Sequence, residues 1–202
     1  MPNPRAIRVC LDVNVWVAHL LALKAGRTGT AASNLVQLVT EMICPAGEVQ
    51  LMIAWRTLGT LEDVLGRLGF PQQDVSEFGS ALVGLMKAGP ECFDPHLVAE
   101  GGGHLPMHDK EDAGVLAAAI AARVDLLVTD NLKDFALPGG EVVETQMVPL
   151  RGKPDRQLFA VAYERNDGVS LVVAHPIDAL DWLGRGIVPT PDFVRSFRAS
   201  KP

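Results

Sequence analysis

The sequence is poor in cysteine and has no long apolar run. Cys10, Cys44 and Cys92 are an odd number of widely spaced cysteines without a CxxC pair, which disfavours a disulfide framework. No stretch approaches the roughly 18 apolar residues of a membrane helix. Asp12 and Asn14 interrupt the first apolar segment, which therefore does not resemble a signal peptide. We expect reduced, mostly buried thiols, no membrane association and a cytoplasmic location.

Positive charge is also scarce. The chain has 18 Lys and Arg against 24 Asp and Glu, a formal net charge of −6. This disfavours a protein that coats nucleic acid, because non-specific binding depends on cations that neutralise phosphates. It does not exclude an enzyme that acts on nucleic acid, since a bound divalent cation inverts the local sign of an acidic site. A hydrophobic fraction of 48% is typical of a globular chain.

Hydrophobic patterning predicts alternating strands and helices up to about residue 150. The predicted strands are Ile7–Val13, Val49–Ala54, Asp125–Thr129 and Val142–Met147. The predicted helices are Asn14–Leu23, Ala31–Ile43, Arg56–Leu68, Pro71–Lys87 and Asp109–Arg123, with a Gly-, His- and Pro-rich loop at Glu91–Met107. Such alternation implies an α/β fold, in which a parallel sheet is covered by helices on both faces.

The C-terminal residues follow a different pattern. Gln157–Glu164 and Val169–Ala174 flank Asn166-Asp167-Gly168, a sequence typical of a β-hairpin turn. Pro176–Leu183 suits a short helix with proline near its first turn. We interpret residues 151–202 as an extension packed on a domain that spans residues 1–150.

Carboxylates occur where apolar residues are expected. Asp12 directly follows the apolar run of the first strand, where a carboxylate is costly unless it has a partner. Asp112 precedes Val115, Leu116, Ala119 and Ile120 at helical spacing, so it shares their buried face. Further acids follow the second and third strands: Glu62 in the next helix, and Asp130 and Asp134 just past Thr129.

Acids gathered at the carboxyl edge of a sheet repel one another unless cations lie between them. Oxygen ligands suit Mg²⁺ or Mn²⁺, which lower the pKa of water and support phosphodiester hydrolysis. Each acid also has a structural interpretation. Asp109 and Asp112 fit a helix N-terminus, Glu62 is near Arg67, and Asp134 can end a turn. Asp12 is the hardest of them to explain without a site.

Three segments resemble the PIN domain family. VCLDVNVW at Val9–Trp16 is similar to its opening strand and acid, and AWRTLGTLEDVL at Ala54–Leu65 occupies the place of a helical Glu. The most specific segment is DKEDAGVLAAAIAARVDLLVTDNLKDF at Asp109–Phe135. The resemblance implies a PIN-like three-layer α/β/α sandwich with a central, mostly parallel sheet, here followed by a C-terminal hairpin and helix extension.

The resemblance also implies roles for individual residues. Asp12, Glu62 and Asp112 match the three core metal-binding acids of the family. Many members have a fourth acid where this chain has Asn131, and a variant pattern supplies it at the position of Asp134, with Asp130 as a second possibility. Asn14, Thr129 and Asn131 match positions that orient the acids. Asp109 is a further candidate in the same segment.

The implied function is that of a VapC-like ribonuclease toxin. This type of protein uses Mg²⁺ or Mn²⁺, acts on RNA, often forms a homodimer and is often paired with an antitoxin. The alternative hypothesis is a catalytically weak PIN-fold module that binds RNA or protein, which Asn131 and the acidic composition favour.

Other features receive structural interpretations. His104 and His108 flank Pro106 and follow Gly101–Gly103, so a loop is a better interpretation than a zinc-binding helix. Trp16, Trp55 and Trp182 are predicted to be core or interface residues. The basic residues near the predicted site are compatible with RNA backbone contacts or with plain surface charge: Arg56, Arg123, Lys133, Arg151 and Lys153.

Overall fold

A computed structural model describes residues 5–93, 110–137, 139–149, 154–164 and 168–199. Its strands are β1 (Ile7–Leu11), β2 (Ile43–Cys44), β3 (Gly47–Met52), β4 (Leu126–Val128), β5 (Gly140–Val148), β6 (Arg156–Glu164) and β7 (Ser170–Ala174). Its helices are α1 (Val13–Lys24), α2 (Ala31–Glu41), α3 (Trp55–Arg67), α4 (Gln72–Ala88), α5 (Lys110–Ala121), α6 (Pro176–Gly184) and α7 (Pro191–Ala199). A short 3₁₀ helix spans Leu132–Phe135.

The seven strands form one sheet in the order β2-β3-β1-β4-β7-β6-β5. The central strands β3, β1, β4 and β7 run parallel, whereas β2, β5 and β6 pair antiparallel at the two sides. β1 lies in the middle of the parallel set, where Cys10 is in register with Met52 on β3 and with Leu127 on β4. The carboxyl ends of β1 and β4 are therefore neighbours.

Helices cover both faces of this sheet. On one face, the Arg8 side chain donates a 2.7 Å hydrogen bond to the carbonyl of Ala122, just after α5. α2 and α6 contact each other and cover β3 and β4. Val9 and Leu11 of β1 have no exposed surface. The predicted three-layer α/β/α sandwich is confirmed, and none of the described helices is long and apolar enough to cross a membrane.

The residues after 150 contribute strands to this same sheet. The predicted hairpin is confirmed, because β6 and β7 pair antiparallel with Val161 opposite Val173. β7 also pairs in parallel with β4 and therefore lies inside the sheet. α7 was not predicted; its Phe193 ring packs edge-on against Trp182 of α6, 5.3 Å between centroids. A domain boundary at residue 150 stays a prediction.

Several predicted ends of strands and helices were wrong, each for a local structural reason. The first strand ends at Leu11 instead of Val13, because Asp12 caps α1 and Val13 begins it. The second helix ends at Glu41, since Met42 adopts a left-handed conformation with φ 58°, and Ile43–Cys44 forms a short strand. β4 is limited to Leu126–Val128. Most of the predicted loop at Glu91–Met107 lies outside the described residues, as do His104 and His108.

Candidate active site

Asp12 lies where β1 ends and α1 begins. Its backbone N–H donates to the carbonyl of Val128 at 2.9 Å, which continues the pairing of β1 with β4. Its Oδ1 accepts a 2.7 Å hydrogen bond from the N–H of Val13 and thereby caps α1. The residue is 5% exposed. A carboxylate is therefore held at the carboxyl edge of the sheet, where α/β proteins bind ligands.

Two side-chain donors orient the other oxygen of this carboxylate. Oδ2 of Asp12 accepts from Asn14 Nδ2 at 2.7 Å and from Thr129 Oγ1 at 2.8 Å. Asn14 Oδ1 accepts from the N–H of Asp130 at 3.3 Å, and Thr129 Oγ1 accepts from the N–H of Asn131 at 3.0 Å. These bonds tie the start of α1 to the loop after β4, so the orientation of Asp12 depends on both segments.

Asp12 and Asp112 face one cavity of about 320 Å³. Asp112 is half-buried on the first turn of α5, and Asp12 lies at the end of β1. The structure thus brings together two acids that are 100 residues apart in the sequence. The remaining lining residues are Val13, Asn14, Val17, Arg56, Thr57, Thr60, Val64, Gly114, Val115 and Asn131.

Glu62 lies elsewhere. It is exposed and lines a second depression between α3 and α4, and the cavity with Asp12 receives Thr60 from the same helix. From α3, the cavity is lined by Arg56, Thr57, Thr60 and Val64 at helical spacing, and Glu62 is not among its lining residues. The metal-binding role of Glu62 stays a prediction.

The acids after β4 are occupied by other partners. Asn131, which lines the cavity, donates a hydrogen bond from Nδ2 to the carboxylate of Asp134. Asp130 Oδ1 lies 2.8 Å from His175 Nε2 and 3.6 Å from Arg156. Asp109 lies outside the described residues. Within the described parts of the chain, no group of three or more His, Cys, Asp or Glu side chains is arranged to hold a metal ion.

His175 contacts Asp130 in the loop after β4, and the sequence did not predict this contact. His175 is 6% exposed, and its Nδ1 accepts a 3.2 Å hydrogen bond from the N–H of Ile177, which caps α6. The Nε2–H is therefore free to donate to Asp130. Pro176 at the first helical position marks residue 175 as a cap. The contact with Asp130 arises because β7 lies beside β4.

Stability is expected to depend on pH through His175. Burial lowers the pKa of His175, although Asp130 acts in the opposite direction. The unfolded chain therefore takes up a proton more readily than the folded protein, and stability falls as the pH drops below the ordinary histidine pKa of about 6.5. We expect a lower melting temperature at pH 6 than at pH 7.

A His175→Asn variant is the control, because asparagine also caps a helix but does not titrate. The decrease between pH 7 and pH 6 should be smaller in this variant than in the parent. Equal decreases in the two proteins would show that His175 does not contribute.

Cys10 does not supply a nucleophile to the site. Burial, aided by the charge of Asp12, raises the pKa of the Cys10 thiol to about 12, so the thiol stays protonated near neutral pH. Among the described residues, the cavity offers carboxylate, amide and hydroxyl groups and one guanidinium. These groups suit an oxygen-liganded cation beside a phosphate.

The comparison with protein-family models matches the PIN domain model to residues 8–133, more than half of the chain. That range contains both Asp12 and Asp112 and ends within the loop after β4. The comparisons with curated proteins and with solved structures gave no significant match. The chain therefore belongs to the PIN domain family, whose members are generally nucleases.

Proposed function

We propose that this protein is a divalent-metal-dependent ribonuclease that hydrolyses RNA phosphodiester bonds. The observation that carries the proposal is the convergence of Asp12 and Asp112 on one cavity, with Asp12 oriented by Asn14 and Thr129. Burying a carboxylate is costly, and a bound cation offsets that cost. Family membership supports a nuclease, and the oxygen donors support Mg²⁺ or Mn²⁺.

The side chains of the cavity fit such an ion. Mg²⁺ is commonly held by one or two carboxylates, with water and substrate phosphate filling its other positions. Asp12 and Asp112 would provide the two carboxylates, and Asn14 and Thr129 would keep Asp12 in place. When bound, the ion would lower the pKa of an attacking water and neutralise charge on the phosphate.

The rest of the cavity binds and positions the substrate in this proposal. Arg56 on the first turn of α3 lines the same cavity and offers a guanidinium to phosphate oxygens. Thr57 and Thr60 contribute hydroxyl groups from the same helix. Water is the nucleophile, so no covalent intermediate with the protein is required.

Removal of divalent metal is expected to abolish cleavage. A single-stranded RNA incubated with the protein and EDTA should remain intact, whereas added Mn²⁺ should restore cleavage, because the carboxylates alone do not activate water. The measurement is the rate of fragment formation on a denaturing gel. Equal rates with and without EDTA would contradict the metal-dependent mechanism.

The alternative is a catalytically weak PIN-fold module that binds RNA or protein. It is favoured by the placement of Glu62 outside the cavity, which leaves Asp12 and Asp112 as the described acids that line it. Calorimetric titration with Mn²⁺ separates the two functions. A nuclease should bind the ion and lose that binding in Asp112→Asn, whereas a binding module needs no tight ion.

We also propose, from the family resemblance, that the protein is a VapC-like toxin, that it forms a homodimer and that it pairs with an antitoxin. Sedimentation velocity of the purified protein measures the dimer directly. For the toxin role, induced expression should arrest bacterial growth, and Asp12→Asn should relieve the arrest.

A further inference from the structure

A second depression of about 440 Å³ adjoins the cavity of Asp12 and Asp112. It lies between α3 and α4, and Arg56 and Thr60 line both spaces, so the two are connected along the first turns of α3. Its other lining residues are Trp55, Leu58, Gly59, Glu62, Asp63, Ser76, Gly79, Ser80 and Val83.

Trp55, predicted to be a core or interface residue, does not lie in the core. It is 56% exposed, whereas Trp16 and Trp182 are each 1% exposed. It precedes Arg56, the guanidinium that lines both spaces. An exposed indole beside a phosphate-binding candidate is the combination with which proteins hold single-stranded nucleic acid, since bases stack on aromatic faces.

We propose that this depression binds a nucleobase of single-stranded RNA, next to the phosphate that is cleaved in the neighbouring cavity. The base stacks on the indole of Trp55, and the phosphate backbone of the RNA passes Arg56. This inference rests on the proposed ribonuclease function and adds a subsite to it, one that selects among unpaired bases.

The polar groups of the depression favour a base over a phosphate. Glu62 and Asp63 both line it, and their negative charge repels a phosphate. Carboxylates accept hydrogen bonds from exocyclic amino groups such as that of cytosine. A base with an exocyclic amino group (cytosine, adenine or guanine) is therefore preferred over uracil. In this proposal Glu62 accepts a hydrogen bond from the base and does not bind the metal ion.

Gly79 of α4 determines where the Glu62 carboxylate lies. A Cβ atom at position 79 would be 2.6 Å from Glu62 Oε1, closer than side chains tolerate. The carboxylate therefore rests against the backbone of α4, at the side of the depression opposite its own helix. Gly79→Ala displaces this flexible carboxylate without altering Trp55, and it tests the position of Glu62 separately from its charge.

The experiment uses intrinsic fluorescence in the presence of EDTA, so that binding is measured without cleavage. Because Trp16 and Trp182 are buried, iodide quenching reports mainly on Trp55. A short cytidine oligoribonucleotide should protect Trp55 from iodide at lower concentration than the matching uridine oligomer. Unchanged quenching at saturating oligomer would overturn the proposal.

Variants are compared by the anisotropy of a labelled cytidine oligomer. Trp55→Ala should weaken binding by about tenfold or more, and Trp55→Phe by less, because an aromatic face remains. Glu62→Gln and Gly79→Ala should reduce the preference for cytidine over uridine. Leu23→Ala is the matched control, since Leu23 is 55% exposed and lines neither space.

The outcomes separate this inference from the proposed function. If Trp55→Ala binds the oligomer as the parent does while cleavage still needs metal, the base site is wrong and the ribonuclease stands. If Trp55 is protected by cytidine but no RNA is cleaved, the base site stands and the ribonuclease is wrong.

Discussion

Replacing Asp12 with asparagine is expected to reduce RNA cleavage by about a hundredfold or more, because the proposed ion loses one of its two carboxylate ligands. Asp12 is buried, and its two oxygens accept hydrogen bonds from Val13, Asn14 and Thr129. Asp112→Asn, which removes the second carboxylate that lines the cavity, should produce a similar loss. The measurement is the cleavage rate of a single-stranded RNA with saturating Mn²⁺.

The fold of Asp12→Asn needs its own measurement. Asparagine caps a helix as well as aspartate does, so α1 should keep its first turn. The new amide group, however, would face the donors of Asn14 and Thr129, which costs about 1–3 kcal/mol. Thermal denaturation separates this cost from lost chemistry. Asp74→Asn, an exposed site on α4, is the matched control. Parental cleavage rates in both Asp12→Asn and Asp112→Asn would rule out the proposed mechanism.

Deleting residues 151–202 is expected to leave a chain that does not fold. The deletion removes β6, β7, α6 and α7. β7 lies between β4 and β6, and each residue from Leu171 to Ala174 has no exposed surface. β4 would become an open edge beside the site, and β5 would lose its partner β6. The fragment should show no cooperative thermal transition in far-ultraviolet circular dichroism.

A single substitution in residues 151–202 tests the same region without removing any strand or helix. Trp182 is 1% exposed and packs against Phe193 and Phe197 of α7. Trp182→Ala should lower the free energy of unfolding by about 3–5 kcal/mol, the usual cost of emptying a large aromatic site. A fragment of residues 1–150 that unfolds cooperatively and cleaves RNA would instead establish the predicted boundary at residue 150.

Much of the site could be predicted from local sequence. An acid after an apolar strand, at Asp12, and an acid on the buried stripe of a helix, at Asp112, are anomalies that burial makes costly. The order of strands and helices then places both at the carboxyl edge of a parallel sheet. Asn14 and Thr129 were expected to orient the acids, and both bond to Asp12.

The position of the Glu62 side chain could not be predicted from local sequence. Its neighbours Leu58, Leu61 and Leu65 are buried, yet Glu62 is exposed and does not line the cavity of Asp12. Periodicity predicts a helix and its buried face, but the rotation of that helix against α4 and α5 depends on how three helices pack. Trp55, predicted to be a core or interface residue, is exposed for the same reason.

The sequence by itself determined the α/β class, the choice of Asp12 and Asp112 as candidate acids and the β6–β7 hairpin, since these follow from periodicity and turn chemistry within short segments. Only the tertiary structure decided that β7 enters the sheet beside β4 and that His175 reaches Asp130. It also decided which face of α3 meets the cavity. Those features join residues distant in the chain, and their free energy comes from packing and hydrogen bonds that no local pattern encodes.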